Sequence, residues 1–270
     1  MSTINVATVL VVVGAVAFGL SLVIHRLFPG LAQLDPGPWS ATLGYLAAAY
    51  GVIVGFAIVF FFGQFSSARQ AIGDEATSIG TAFDEAVLFP ESEREIRHSL
   101  ICYARAVPER EWPTLASTGE SAPAVDEAYQ DVILALGDVT EPADATFQPA
   151  AATNMFVQVG NISTARETRL VAAELEVHTL LKALLYGGGA LVIGLLFIVS
   201  LRAHRLAQAA LVALSAVFTA VMVLIVLVLS TPFKEGIGSL SPRLIEETTA
   251  SMESGAADAA ALPCSFDQAD

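Results

Sequence analysis

Four long stretches of the sequence contain no charged residue. They cover residues 4–24, 41–65, 183–201 and 206–231, and each is at least 19 residues long. About 20 apolar residues at a rise of 1.5 Å per residue cross a hydrocarbon core of about 30 Å. A helix also satisfies its own backbone hydrogen bonds in lipid. The pattern therefore predicts an all-α membrane protein with four transmembrane helices.

The four predicted spans form two hairpins. Residues 1–65 contain the first hairpin and residues 183–231 the second, which leaves an intervening segment, 66–182, and a tail, 232–270. Four spans place both termini and the intervening segment on one side of the membrane. That segment has no alternating strand pattern, so we expect a helical domain built on extensions of the second and third spans.

The apolar pattern of the second span continues past its end. Apolar residues from Ile72 to Val87 recur at steps of three and four, which predicts one helix over 41–89, on the order of 70 Å long. The next helix is predicted to begin at Ser92, with Glu95 completing a capping box.

The rest of the intervening segment is predicted to hold two more helices. One short helix covers 125–136 and is followed by a loop over 137–152. Asn154 can cap a long helix. Because no Pro or Gly lies between Asn161 and Tyr186, this helix is predicted to continue into the third span.

Charged and apolar residues occupy different parts of the chain. Overall, 54% of the residues are hydrophobic, 15% are charged and the net charge is −14, whereas an average soluble domain has about 25% charged residues. Residues 66–182 hold eight basic and 19 acidic residues, and 232–270 hold two and seven, so one membrane face carries −16 and the other +2. This composition excludes a disordered chain and disfavours a soluble enzyme. The acidic tail is rich in Ala, Ser and Asp from Ser251 onward, which predicts that it is largely disordered.

The side of the membrane on which the domain lies is read from Lys and Arg near the span ends. By number, these residues place the domain and both termini in the cytoplasm, at the bacterial inner membrane. The short loop 202–205 has two arginines within four residues, and this high local density of positive charge favours the opposite orientation. Cys102 and Cys264 fall on the same side and can in principle pair, but we expect two free thiols, as in a reducing compartment.

Motifs for catalysis and for cofactor binding are missing from the sequence. It contains no phosphate-binding loop, nucleophile elbow or zinc-protease motif, and its four histidines lack ligand spacing. We therefore expect no enzymatic activity, no metal, no cofactor and no nucleic-acid partner. The triple glycine at 187–189 lies inside an apolar span, where close helix packing explains it better than a phosphate site.

The second span carries two patterned faces. Small residues at steps of four and three predict close helix contact, and they are Gly44, Ala48, Gly51 and Gly55. A second set recurs every four residues and comprises Phe56, Phe60 and Gln64. Copies of this second set around a symmetry axis would form a hydrophobic constriction that gates by dewetting. The alternative is that these phenylalanines face lipid or neighbouring helices. Arg69 lies one turn beyond Phe65, where it is placed to attract anions at the pore exit.

Two acidic pairs follow on the same predicted helix, Asp74-Glu75 and Asp84-Glu85. Asp74 and Glu85 share a helix face but lie roughly 16 Å apart, too far for one ion in one chain. These four residues are interpreted as a solvated face, unless an oligomer gathers their copies into acidic rings.

The order of motifs over residues 45–245 resembles the bestrophin-like family of bacterial membrane proteins. The residues that carry this resemblance are Asp74-Glu75-Ala76, Leu88-Phe89-Pro90, Ile96-Arg97, Tyr103, Glu111-Trp112-Pro113, Arg166, Arg169, Leu170, Ser230-Thr231-Pro232-Phe233 and Gly236. Thr231 stands where the family usually has an acidic residue. The resemblance implies the layout of bestrophins, which are pentameric anion channels with a pore-lining second helix, a hydrophobic neck and a cytoplasmic helical domain. The bestrophin neck motif and a calcium-binding acidic cluster are not matched.

The leading hypothesis is a homo-oligomeric ion channel whose second span lines the pore. Its expected partners are the lipid bilayer, further copies of the chain and inorganic ions. Ion selectivity stays open, because a face of −16 concentrates cations and repels anions. The alternative is a non-conducting, membrane-anchored helical interaction or signalling module. An alternating-access transporter is disfavoured, because the spans show no breaks and no ionisable residue.

Overall fold

The structure, a computed structural model, describes residues 3–28, 35–137, 148–175 and 177–268. It is 84% helical, and the described residues contain no strand. The helices are α1 (Thr3–Leu27), α2 (Gly37–Glu85), α3 (Glu93–Ala106), α4 (Trp112–Ser117), α5 (Pro123–Gly137), α6 (Gln148–Glu174), α7 (Thr179–Val199), α8 (Arg205–Leu229), α9 (Arg243–Gly255) and α10 (Ala257–Ala260). A π-helical turn, Val107–Glu111, joins α3 to α4.

Four of these helices are long and apolar enough to cross a membrane. They are α1, α2, α7 and α8, which confirms the predicted all-α fold and its four apolar helices. Helix α2 is continuous over 49 residues, so at 1.5 Å per residue it is about 74 Å long. The prediction that the second span extends well beyond the hydrocarbon core is therefore confirmed.

One compact unit of the chain comprises residues 1–63, 176–231 and 236–238. It contains α1, the apolar half of α2, α7 and α8. Side chains from one face of α2 are buried in it, namely Val54, Ala57 and Phe61, and they pack with Leu185 of α7 and Val226 of α8.

The triple glycine of α7 lies at a close approach of three helices. A Cβ on Gly189 would lie 2.7 Å from Cγ2 of Thr219 and 3.0 Å from the hydroxyl of Tyr50. A Cβ on Gly188 would lie 2.8 Å from the Tyr50 ring. The Tyr50 hydroxyl donates to the carbonyl of Leu185 over 3.0 Å. The interpretation of these glycines as a packing site is confirmed for Gly188 and Gly189.

We expect Gly189→Ala to lower the thermal stability of the purified protein. Its added methyl group forces Thr219 and Tyr50 to move, and overpacking of this kind costs typically 1–3 kcal/mol. Gly187→Ala is the matched control, because a Cβ there meets nothing within 4 Å. The melting temperature of each variant in detergent is the measurement. Equal melting temperatures for the two variants would contradict the packing.

The second compact unit comprises residues 64–175, 232–235 and 239–270. It contains the polar half of α2 together with α3, α5, α6 and α9. Its core is apolar and largely excluded from solvent, and the largest fully buried apolar side chains include Ile79, Ile96, Leu100, Tyr103 and Met155.

Three predictions of helix boundaries are wrong. Helix α6 begins at Gln148, so residues 148–152 are helical and not part of a loop, and Asn154 lies inside the helix and does not cap it. Helix α6 ends at Glu174 and α7 begins at Thr179, so α6 does not run into the third span. His178 has an extended backbone and its ring accepts a hydrogen bond from the Leu180 amide. The absence of Pro and Gly permits a continuous helix, but the His178 side chain satisfies an amide of the first turn of α7 and so starts a new helix there. Helix α3 follows Ser92 as predicted, but Ser92 makes no side-chain cap hydrogen bond.

The prediction of a largely disordered tail is wrong for the described residues after Ser251, and so is the expectation of free thiols. Helix α9 buries Ile245, Thr249 and Met252, which recur at steps of four and three and so form one packed face. Cys264 is disulfide-bonded to Cys102 of α3. The Ala- and Ser-rich composition hid this structure, because small residues also suit close packing.

Candidate functional site

Helix α2 presents a row of aromatic side chains that its own chain does not cover. Phe56 is 72% exposed and Phe60 is 53% exposed. At 100° per residue, Phe56 lies about 200° around the helix from the buried Val54. Gln64, half-buried, continues this row, and Arg69 is exposed further along the same helix. The assignment of these four residues to a pore or gate stays a prediction.

The small-residue face of α2 is also uncovered. A Cβ added at Gly44, Gly51 or Gly55 would meet nothing within 4 Å, and Ala48 is exposed. Gly51 and Gly55 instead line an apolar cavity of about 550 Å³. These residues therefore make no close helix contact within the described part of the chain. Their contact with another helix stays a prediction.

The acidic pairs of α2 do not share one environment. Asp74 and Asp84 are exposed, and the Glu85 carboxylate accepts a hydrogen bond from the Asn154 side-chain amide. Glu75 is fully buried and ion-paired with Arg169. The interpretation of these four residues as a solvated face is therefore wrong for Glu75, and so is an exposed acidic ring that includes it, because this carboxylate is buried and paired with an arginine.

Glu75 belongs to a buried ionic network that joins α2, α3, α6 and the π-helical turn. Both carboxylate oxygens of Glu75 accept hydrogen bonds from Arg169, over 3.0 Å each. The Tyr103 hydroxyl donates to Glu75 Oε1 over 2.6 Å. Glu111 bridges the two arginines, since its Oε2 lies 2.6 Å from Arg169 Nη2 and its Oε1 accepts from Arg166 Nε over 3.0 Å. We call these five residues the ionic network.

The charges of the ionic network balance, because its two carboxylates face two guanidinium groups. Glu75, Glu111 and Arg169 are fully buried, and Arg166 also pairs with the half-exposed Asp126 over 2.7 Å. Burial alone lowers the pKa of Arg169, but the charges of Glu75 and Glu111 outweigh it and raise the pKa. Both arginines therefore stay charged. Buried charges of this kind are tolerated only when each is paired.

Trp112 packs against the ionic network. The Arg169 guanidinium lies 5.3 Å from the centroid of the Trp112 ring, a cation–π distance. The ring of Phe233 meets Trp112 edge-on at 5.4 Å, and the indole N–H donates to the Leu240 carbonyl over 3.4 Å. Motifs that are far apart in the sequence thus meet at one place in the helical domain.

The sequence motifs include Tyr103, Glu111, Arg166 and Arg169, but it was not predicted from the sequence that these residues form one network with Glu75. A signal was present in the pattern. Glu75 lies between Ile72 and Ile79 at steps of three and four, on the apolar face of α2. A charged residue on a buried face requires an opposite charge.

A polar groove runs between α2 and α6 beside this network. Its volume is about 610 Å³ and its lining is Ser67, Gln70, Ala71, Asp74, Thr77, Ser78, Thr81, Gln158, Asn161, Thr164, Ala165 and Thr168. Asp74 is the only charged residue in this lining. Neither this groove nor any other described part of the chain has a group of three or more His, Cys, Asp and Glu side chains placed to hold a metal ion.

We expect Tyr103→Phe to reduce the loss of stability at alkaline pH. Burial first, and then the charge of Glu75, raise the Tyr103 pKa well above its ordinary value of 10.0. A raised pKa in the folded state means that the contribution is fully present below pH 10.0 and is lost as pH rises through the raised pKa. At neutral pH the variant loses one hydrogen bond to a charged group, about 1.5–3 kcal/mol.

The measurement for Tyr103→Phe is the free energy of unfolding at pH 8 and at about pH 11. Tyr129→Phe is the control, because that hydroxyl donates to the Val159 carbonyl and not to a carboxylate, and the variant retains Tyr103. Tyr129→Phe should therefore lose as much free energy of unfolding at alkaline pH as the wild type. If Tyr103→Phe loses as much free energy of unfolding at alkaline pH as the wild type, the Tyr103 pKa is not raised in the folded state.

Comparisons with known proteins agree with this fold. A family model described as a bestrophin-like domain matches residues 11–242. A crystal structure of a bacterial bestrophin homologue from Klebsiella pneumoniae gives a TM-score of 0.74 at 11% identity, covering 95% of this chain and 100% of that chain. A mutant of a Klebsiella pneumoniae homologue gives 0.71 at 13% identity, covering 96% and 100%. Identities this low show the fold alone. A comparison with curated proteins finds no match.

Proposed function

We propose an ion-channel function for this chain, which belongs to the bestrophin-like family. Identical copies assemble around an axis, and helix α2 of each copy lines the shared pore. By resemblance the assembly is a pentamer in the bacterial inner membrane. The single observation that carries this proposal is the arrangement of faces on α2.

A helix that lines a shared pore needs three faces. One packs on its own chain, one points to the axis and one meets the neighbouring copy. The buried face of α2 is centred on Val54 and Phe61. The row of Phe56 and Phe60 lies about 200–240° away from Val54, and the small face of Gly51 and Gly55 lies about 60–100° away. The last two faces are both exposed, and the small face borders the apolar cavity that residues of α8 also line. Apolar side chains of α1 and α8 are exposed as well, so the proposal rests on the residue types of the two faces of α2.

The two exposed faces of α2 carry side chains of different size, which suit different contacts. Phenyl rings that meet around an axis form a narrow apolar constriction, and such a constriction excludes water and ions until it widens. Glycines instead let a neighbouring helix approach the backbone closely. We therefore assign Phe56 and Phe60 to the gate, and Gly44, Ala48, Gly51 and Gly55 to the contact with the next copy.

The charge of the chain predicts which ions gather at the domain side. That face carries −16, so it concentrates cations at low ionic strength, and salt screens the effect beyond about 10 Å at 0.1 M. Asp74 is exposed on α2 and lines the polar groove, while Arg69 is the basic residue placed nearest the gate along the helix. By the number of Lys and Arg residues near span ends, we place this side and both termini in the cytoplasm.

Reconstitution of the purified protein in planar bilayers tests the proposal. Under a KCl gradient we expect discrete single-channel currents, with a reversal potential displaced toward that of K⁺ at low salt. The displacement is expected to shrink as salt rises. Silence under a wide range of voltages and salt concentrations would contradict the channel and favour a non-conducting interaction module.

A further inference from the structure

The disulfide between Cys102 and Cys264 ties the segment after α9 to helix α3. We name residues 256–266 the clasp, because they include α10 and Cys264. We propose that this disulfide is an exchange site for a dithiol reductant, and that its reduction releases the clasp from the helical domain.

Two basic side chains lie beside the two sulfur atoms. Arg105 Nη1 is 3.9 Å from Cys264 Sγ, and His98 Nε2 is 3.6 Å from Cys102 Sγ. His98 Nδ1 lies 3.0 Å from the Ala259 carbonyl, which can only accept, so Nδ1 carries the proton. Its distance to Cys102 Sγ, 3.7 Å, is close to that of Nε2, so the sulfur packs against the imidazole ring and does not face one nitrogen. A positive neighbour favours a thiolate over a thiol, and a stabilised thiolate is the better leaving group in exchange.

The exchange step balances without a further oxidant. A thiolate of the dithiol attacks one sulfur, the bond between Cys102 and Cys264 breaks, and a mixed disulfide forms. The second thiol of the reductant then displaces the bound cysteine. The products are two cysteine thiols and an oxidised dithiol, with two electrons and two protons transferred to the protein. Arg105 stabilises the Cys264 thiolate as it leaves, and each released cysteine thiolate takes one of the two protons that the dithiol gives up.

Apart from the disulfide, the clasp is held by few contacts. Its buried apolar side chains are small except for one, and they are Ala256, Ala259 and Phe266. Its polar contacts include the Ala259 carbonyl with His98, the Ala260 carbonyl with Arg105, the Ser265 hydroxyl with Asp131 and the exposed pair of Asp258 with Arg94. The Arg110 guanidinium also lies 6.0 Å from the centroid of the Phe266 ring. Both cysteines are buried, so the dithiol reaches them when the clasp opens locally, and breaking the disulfide removes the covalent attachment of the clasp to α3.

Arg105 also connects the clasp to helix α9 and so to α2. It pairs with Glu253 of α9 over 2.7 Å. Helix α9 lies against α2, where a Cβ on Gly80 would lie 3.5 Å from Thr248 and one on Gly73 would lie 3.9 Å from Leu244. Resting on the proposed function, this connection makes the pore-lining helix responsive to the redox state of the domain. In the proposed cytoplasmic location, disulfides are typically transient or redox-sensing.

The experiment titrates the purified full-length protein with dithiothreitol under native conditions. Thiols are counted by maleimide labelling and mass spectrometry, and amide hydrogen exchange is followed in the clasp. We expect no labelled thiol before reduction and two afterwards, with clasp exchange faster by about tenfold or more. Exchange in α8 should stay unchanged. Reoxidation should restore the protection.

Two variants separate a working exchange site from a passive cross-link. Cys264→Ser should show fast clasp exchange without any reductant. Arg105→Met should slow reduction by dithiothreitol by roughly tenfold, whereas Arg243→Met, an exposed arginine of α9, should reduce at the wild-type rate. Free thiols in the aerobically purified protein, or a clasp equally protected before and after reduction, would overturn the proposal. So would a disulfide that dithiothreitol reduces only after denaturation.

These readouts do not depend on conductance. A protein whose clasp responds to reduction but which carries no current would refute only the channel. A conducting protein whose clasp ignores reduction would refute only the exchange site.

Discussion

Arg169→Met is expected to destabilise the helical domain by about 3–5 kcal/mol, because it leaves two buried carboxylates without their shared counter-charge. Glu75 and Glu111 are both fully buried, and Arg169 bonds or pairs with each of them. A typical domain has only about 5–15 kcal/mol of stability in total. The substitution therefore removes a large share of it. Denaturant unfolding of the full chain in detergent measures the loss, followed by tryptophan fluorescence in a Trp39→Phe background so that Trp112 reports alone.

Two further variants make the result for Arg169 specific. Arg243→Met removes an exposed arginine whose partner, Glu247, is also exposed, and it should change the free energy of unfolding by no more than about 0.5 kcal/mol. Glu75→Gln in the Arg169→Met background should recover part of the loss, because it removes the buried charge that Arg169 neutralises, whereas Glu111 keeps its pairing with Arg166. If Arg169→Met is as mild as Arg243→Met, the ionic network does not hold the domain together.

Phe60→Ala is expected to raise the single-channel conductance several-fold and to weaken the closed state. The phenyl ring is 53% exposed, so its removal costs little stability. Removing it from every copy around an axis would widen an apolar constriction and ease its wetting. Single-channel recording in planar bilayers measures both effects. If Phe56→Ala raises the conductance in the same way, the constriction includes Phe56 and is one helical turn longer.

Phe62→Ala is the matched control for the gate. Phe62 is 59% exposed, close to the exposure of Phe60, and lies two residues further along α2. It is therefore about 200° away from Phe60 around the helix, on the side of the small residues. We expect it to leave unitary conductance unchanged. A Phe60→Ala channel that conducts like the wild type would refute the gate assignment, whatever the result for Phe62.

The fold was predictable where one local property decides the structure. The four spans follow from length and the absence of charge, and the 49-residue helix follows from an apolar stripe that no proline interrupts between Pro38 and Pro90. The break before α7 was not predictable in this way. It depends on the ring of His178, which accepts a hydrogen bond from Leu180, and histidine is not among the preferred N-cap residues.

The candidate site was only half predictable, since its residues come together through long-range pairing. Glu75 and Arg169 are 94 residues apart in the chain, so neither the spacing nor the local pattern specifies that they meet. The acidic pairs on α2 looked alike, yet one face of the helix takes Glu75 inward and leaves Asp74 exposed. The partnership of Cys102 with Cys264 is of the same kind, at a separation of 162 residues.

An electron-microscopy reconstruction of the purified protein in lipid nanodiscs tests directly whether α2 lines a shared pore. We expect a ring of identical copies, with Phe56 and Phe60 of every copy around a central axis and Gly51 and Gly55 against the neighbouring copy. A monomer, or a ring in which these phenylalanines face lipid, would contradict it.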